Sequence, residues 1–124
     1  NLDYVFYSPR VSQEQIAIEY LKSDIWLYPT NFLETFCITA LEAQLSGLLC
    51  ITTNKGSLSE IVGNRGIVVD GDPSLEKTQE IIVKKLELVL NNNKIKENLI
   101  EKGKKWAEKY TIENLANQWK NNFL

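Results

Sequence analysis

Two glutamates, Glu34 and Glu42, are separated by seven residues in the segment Pro29-Thr30-Asn31-Phe32-Leu33-Glu34-Thr35-Phe36-Cys37-Ile38-Thr39-Ala40-Leu41-Glu42-Ala43. An ionised carboxylate accepts hydrogen bonds through two oxygens, so it suits a pair of neighbouring hydroxyls. The pattern places Glu34 just before a helix and Glu42 in its second turn. Between them, the first helical turn presents N–H groups with no intrahelical acceptor, and these, with the helix dipole, suit a phosphate. The result is a three-point grip. Glu42 would take a ribose, as an acidic residue does in dinucleotide sites. The N–H groups near Phe36, Cys37 and Ile38 would face the phosphate and the near side of a sugar. Glu34 would take hexose hydroxyls beside the bond that breaks. The candidate binding set is Glu34, Thr35, Phe36, Cys37, Ile38 and Glu42, with Glu34 also the candidate catalytic residue.

The helix expected over Phe36 to Ser46 is apolar nearly all round (Phe36, Ile38, Ala40, Leu41, Ala43, Leu45), which implies burial on more than one side. A glutamate in such a helix usually has a partner. The competing reading puts Glu42 on one wet strip beside Gln44 and Ser46. Spacing alone does not decide between them.

The elements that would position this segment alternate in type. Tyr4-Val5-Phe6-Tyr7 reads as a short strand. Ser12, with Gln15 three residues on, forms a capping-box pattern that opens a helix to about Lys22, with Ile16, Ala17, Tyr20 and Leu21 on one face. Ile25-Trp26-Leu27-Tyr28 is a continuous apolar run that stops at Pro29, as a buried parallel strand would. Gly47 is placed to end the Phe36–Ser46 helix, and Leu48 to Thr53 is the next strand. Ser57-Leu58-Ser59-Glu60 is a second capping-box pattern. Gly66 leads into the strand Ile67-Val68-Val69. Asp72-Pro73 reads as an N-cap with proline at the first helical position. The remainder is helical: Leu75 to about Leu90, a break at Asn91-Asn92-Asn93, a helix lined by Ile95, Leu99, Trp106 and Tyr110, and a last one capped by Thr111. Its face, Ile112, Leu115, Ala116, Trp119 and Phe123, is expected to be core.

Strand and helix in alternation predict an α/β, Rossmann-like three-layer sandwich: a short parallel sheet of about four strands, with helices on its faces and at its C-terminal end. Ligands of such sheets bind beyond the carboxyl ends of the strands. The loops after Tyr28, Thr53 and Val69 are therefore the ones to inspect.

Composition removes other chemistries. The 124 residues favour a single domain over 1–124. Without a histidine, serine-triad and histidine-based zinc chemistry are excluded within this chain. The two cysteines, Cys37 and Cys50, are too few for a disulfide scaffold and lack metal-ligand spacing. A net charge of −2 argues against nucleic acid as the main partner. No apolar run approaches the ~20 residues that cross a bilayer, and Asn1-Leu2-Asp3-Tyr4 does not open a signal peptide. A cytoplasmic location is the expectation. The absence of an initiator methionine points to an excerpt with further residues upstream.

Ser23 to Asp72 resembles the signature region of retaining glycosyltransferases of the GT-B fold, family 4, the "group 1" glycosyl transferases. The resemblance is carried by Ser23-Asp24, the strand Ile25 to Pro29-Thr30, Glu34-Thr35-Phe36-Cys37 and Glu42-Ala43. It continues through Gly47-Leu48-Leu49 to Thr53, Gly56-Ser57, Glu60-Ile61-Val62 and Gly66-Ile67-Val68-Val69. Asp72-Pro73 and the three helices after it also fit. The resemblance implies that Glu34 and Glu42 are the two members of the family's Glu-x7-Glu motif, the first at the transferred sugar and the second at the nucleotide ribose. It also implies a nucleotide-sugar donor, no metal cofactor, and an N-terminal acceptor-binding domain outside this chain, with the Gly56-Ser57 turn near the site mouth and some of the apolar surface of the last helices in contact with that other domain.

This sequence departs from that pattern at several positions. The family's two glycines flanking Phe36 are Thr35 and Cys37 here, so the Cys37 side chain is placed to alter the sugar pocket. Leu49 and Ser57 replace a proline and a glycine. The family's Arg and Lys for the donor diphosphate have no counterpart, and Arg10 lies in the wrong segment. The chain alone is therefore expected to be inactive. Two other readings remain beside the transferase: a non-catalytic α/β binding module, and a GT-B nucleotide-sugar epimerase. Lys102-Gly103-Lys104-Lys105-Trp106 is a weak candidate for peripheral membrane contact, against the alternative of a solvated face over a packed tryptophan.

Overall fold

The computed structural model describes residues 3–123. Asn1 and Leu2, the start of the segment read above as lacking a leader, lie outside the described residues. The fold is α/β and Rossmann-like. Among the described residues, β1 (Ile25–Tyr28), β2 (Leu49–Thr53) and β3 (Ile67–Val69) form one parallel sheet in the order β1-β2-β3. Ile25 is opposite Leu49 and Tyr28 opposite Thr52 in the first pair, and Ile51 is opposite Ile67 in the second.

Every residue of β2 is buried, which is why its run is unbroken by polar alternation. Its side chains divide by the strand period. Cys50 packs with Ala40 and Ala43 of α2 (Ile38–Leu45) and with Leu58 and Ile61 of α3 (Leu58–Ile61). Leu49 and Ile51 pack with Ile82 and Val89 of α4 (Glu76–Leu90). Helix α5 (Asn93–Ala107) serves both layers, Trp106 on the first and Leu99 and Ile100 on the second. These are the three layers that the alternation of elements predicts.

The capping box at Ser12 forms as expected. The Ser12 hydroxyl accepts from Gln15 N and the Gln15 side chain accepts from Ser12 N, opening α1 (Gln13–Lys22). Gly47, at φ +83°, ends α2. Asn92 and Thr111 cap α5 and α6 (Ile112–Phe123) by accepting from Ile95 N and Asn114 N.

Other expectations are overturned. Residues 4–7 form no strand: Tyr4, Phe6 and Tyr7 are exposed and pair with no ladder. An apolar run makes a strand only where an edge receives it. Ser57 does not build a capping box. Its φ/ψ of −76°/−5° is helical, where a box needs an extended cap residue, and its N–H donates to the Glu34 carbonyl at 2.8 Å. Asp72 is not a helix cap either. It closes a turn, with Leu75 N donating to the Asp72 carbonyl at 3.0 Å, and α4 begins after Leu75. Helix α2 starts two residues later than expected, at Ile38 after Cys37. The last helix is not core: α6 has no buried residue. Leu21 of α1 is likewise exposed.

Candidate functional site

The loop after β1 is built from the strand outward. Thr52 Oγ1 donates to the Tyr28 carbonyl at 2.8 Å. Thr53 Oγ1 donates to the Thr30 carbonyl and accepts from Thr30 N at 2.9 Å. Two buried hydroxyls thus carry the β1–β2 pairing past Pro29 and satisfy themselves in doing so. The loop then meets the turn after β2. Gly56 has φ +56°, and a Cβ there would collide with the Glu34 carbonyl oxygen and lie 2.6 Å from the Glu34 nitrogen. The turn therefore packs directly on the Glu34 backbone.

Glu34 is half-buried, and its Oε1 accepts from Tyr28 Oη at 3.0 Å. With Thr35, Phe36, Cys37, Ile38 and Thr39 it lines an open groove of about 310 Å³ at the start of α2. Among the described residues, no hydrogen bond is made by the N–H groups of Phe36, Cys37, Ile38 and Thr39, and Cys37 caps with no side-chain bond. They are the free donors that a helix N-terminus offers.

Glu42 opens on a second hollow, about 330 Å³, between α1 and α2. Its lining includes Gln13, Ile16, Tyr20, Thr39 and Ser46. Glu42 is half-buried, and its carboxylate has no hydrogen bond or ion pair among the described residues. Burial, and after it the Glu42 carboxylate, raises the pKa of the Tyr20 hydroxyl above 10.0. The wet-strip reading of this helix face fails, because Gln44 is 1% exposed and its Nε2 donates to the carbonyls of Ala40 and Ile61. The two hollows share Ile38 and Thr39. One carboxylate thus borders each hollow, and the first turn of α2 lies between them.

Cys37, which stands where the family has a glycine, faces the core as well as lining the groove. Cys37 is 5% exposed and belongs to the core with Ala40, Ala43 and Cys50, its sulfur 3.3 Å from Thr39 Oγ1. Phe36 is partly exposed and lies against Tyr110, ring centroids 6.3 Å apart, and Tyr110 meets Trp106 in a tilted contact at 4.7 Å.

Along its whole matched length, residues 1–106, the chain fits the family model described as "Glycosyl transferases group 1". The chain belongs to that family. Curated relatives include D-inositol 3-phosphate glycosyltransferases of Paenarthrobacter aurescens (strain TC1), Pseudarthrobacter chlorophenolicus and Arthrobacter sp. (strain FB24). They are 38%, 35% and 34% identical over 71 residues. That stretch covers 56% of this chain and 17% of each relative. The chain is thus a group 1 family domain whose matched stretch spans only a small part of the relatives' length.

Two features were not visible in the sequence. Tyr28 reads there as one more apolar strand residue, yet its hydroxyl reaches Glu34. Asp72 reads as a cap, yet its Oδ1 accepts from Asn31 Nδ2 at 2.6 Å and ties the loop after β1 to the loop after β3. The lysine-rich stretch of α5 borders a separate hollow of about 270 Å³ with Asn64, Arg65, Lys102, Lys105, Trp106 and Lys109. Trp106 is half-buried there, with the Arg65 guanidinium 4.2 Å above its ring. This geometry is that of a packed tryptophan under a solvated basic face. Among the described residues no helix is long and apolar enough to cross a membrane, and no group of three Cys, Asp or Glu side chains is placed to hold a metal ion.

Proposed function

We propose that the protein containing this chain transfers a sugar from a nucleotide-sugar donor to an acceptor hydroxyl with retention of configuration, as a cytoplasmic family 4 enzyme. This chain would supply the donor side. The observation that carries the reading is the pair of adjoining hollows, each bordered by one glutamate and joined at the free N–H groups of α2. Glu42 would accept from the ribose hydroxyls, with the base in the cleft against Tyr20 and α1. The N–H groups of Phe36, Cys37 and Ile38 would meet the phosphate. Glu34 and the Thr35 backbone would hold the hexose.

The chemical work is positioning plus neutralisation of the leaving diphosphate. Helix N–H groups supply part of that charge stabilisation. Cations from outside this chain supply the rest, with no metal required. An N-terminal domain outside this chain would bring the acceptor, so residues 1–124 alone are expected to leave sugar untransferred. The burial of the Cys37 side chain favours this reading over a non-catalytic module, since the groove is not filled by it.

Calorimetric titration of the full-length protein with a panel of nucleotide sugars tests the proposal. One donor is expected to bind, and Glu42→Ala is expected to weaken it by about tenfold or more, the worth of charge-assisted hydrogen bonds to the ribose. Absence of donor binding, or binding indifferent to Glu42→Ala, would count against it. Product analysis separates transfer from epimerisation.

A further inference from the structure

We propose that Tyr28 is a positioning residue for Glu34, fixing one carboxylate oxygen so that the other is presented to the sugar; this rests on the donor-binding reading above. Tyr28 Oη donates to Glu34 Oε1 at 3.0 Å. Among the described residues, Glu34 Oε2 makes no hydrogen bond and no cation lies within ion-pair distance of the carboxylate. The phenol is thus the group that orients a side chain otherwise free to rotate.

The phenol is itself held. Tyr28 ends β1, its carbonyl accepts from Thr52 Oγ1, and its ring lies 5.2 Å from that of Trp26 on the same face of the strand. Both rings pack against the core that includes Cys37 and Ala40 at the start of α2. The Glu34 backbone is held from the other side, where Ser57 N donates to its carbonyl at 2.8 Å and Gly56 sits against its amide. Glu34 is therefore constrained at its main chain by the turn after β2 and at its carboxylate by the end of β1. A group meant to strengthen its contact in the transition state gains from such preorganisation, because a small displacement of it costs rate more than affinity. Thr30 lowers the Tyr28 pKa. Partial burial and Glu34 outweigh it, leaving the phenol above its ordinary 10.0, as expected of a donor to a carboxylate.

Tyr28→Phe in the full-length protein removes the hydroxyl and keeps the ring. Turnover is expected to fall roughly tenfold with the donor KM changed far less. In a Glu34→Ala background, Tyr28→Phe is expected to change nothing further, a non-additivity that a merely structural role would not show. Independently of any donor, the Tyr28 ring carbon followed by NMR is expected to titrate at lower pH in Glu34→Gln. If Glu34→Gln leaves that titration unmoved, or if Tyr28→Phe keeps full turnover while Glu34→Ala loses it, the positioning role is wrong and the donor reading stands. Failure of donor binding in the unsubstituted protein overturns both.

Discussion

At the scale of single residues, the site depends on side chains whose roles follow from where burial and hydrogen bonding leave them. Cys50 is fully buried, and its burial pushes the thiol up to about 12, so it stays protonated and serves as a small apolar group. Asp72 is shifted the other way. Its Oδ1 accepts from the Ser74 hydroxyl at 2.7 Å, Asn31 Nδ2 at 2.6 Å and Ser74 N at 2.8 Å, and these bonds bring its carboxyl from 3.8 down to about 2. Because the folded value is depressed, the stabilisation is fully present above 3.8 and disappears as pH falls through about 2. Asp72→Asn removes the charge that these donors favour. Urea unfolding followed stepwise through acid should show a shallower loss of stability over that window in Asp72→Asn than in the unsubstituted chain. Identical acid limbs would show that the three donors do not prefer the ionised form.

At the scale of elements, periodicity and punctuation located most of the frame but not what each end does. The runs at Ile25–Tyr28, Leu49–Thr53 and Ile67–Val69 became strands because helices cover both faces of the sheet. Two cap patterns of the same kind had opposite fates. Ser12-x-x-Gln15 closes its box at an exposed helix start, where no other group among the described residues takes the Ser12 N–H. Ser57-x-x-Glu60 does not, because the Glu34 carbonyl takes the Ser57 N–H and holds the turn helical. Glu34 lies 23 positions earlier by its number, a pairing no local pattern can announce. The consequence falls on Gly56, whose φ of +56° and contact with the Glu34 main chain leave no room for a side chain. Gly56→Ala is expected to cost about 1–3 kcal/mol from the left-handed backbone alone, and to displace Glu34 besides. A lowered thermal midpoint together with lost turnover in the full-length protein is the expected pair of results. An unchanged midpoint would mean that the turn is not packed as described.

At the scale of the whole molecule, the candidate site was legible and the outer surface was not. The two glutamates were found from spacing and resemblance, since both signals are local in sequence. Their division between two hollows needed the α1–α2 cleft, a contact between distant segments. An apolar stripe states that a face avoids water without stating what covers it, and that is where the reading of α6 failed. Ile112 is 88% exposed, Trp119 67% and Phe123 73%, while β2 is buried throughout. Local stability follows buried contacts, and a helix that buries nothing opens at little cost, because only its own hydrogen bonds resist. Hydrogen exchange on the 124-residue chain should therefore divide it sharply. The β2 amides should exchange slowest, at the rate of global unfolding, and those of α2 and α4 near them. The α6 amides should exchange fastest among the helices. Deleting residues 112–124 should accordingly shift the unfolding midpoint little. Protection of α6 matching that of β2, or collapse of the fold on its removal, would show that the Ile112–Phe123 face is docked against the rest of the chain.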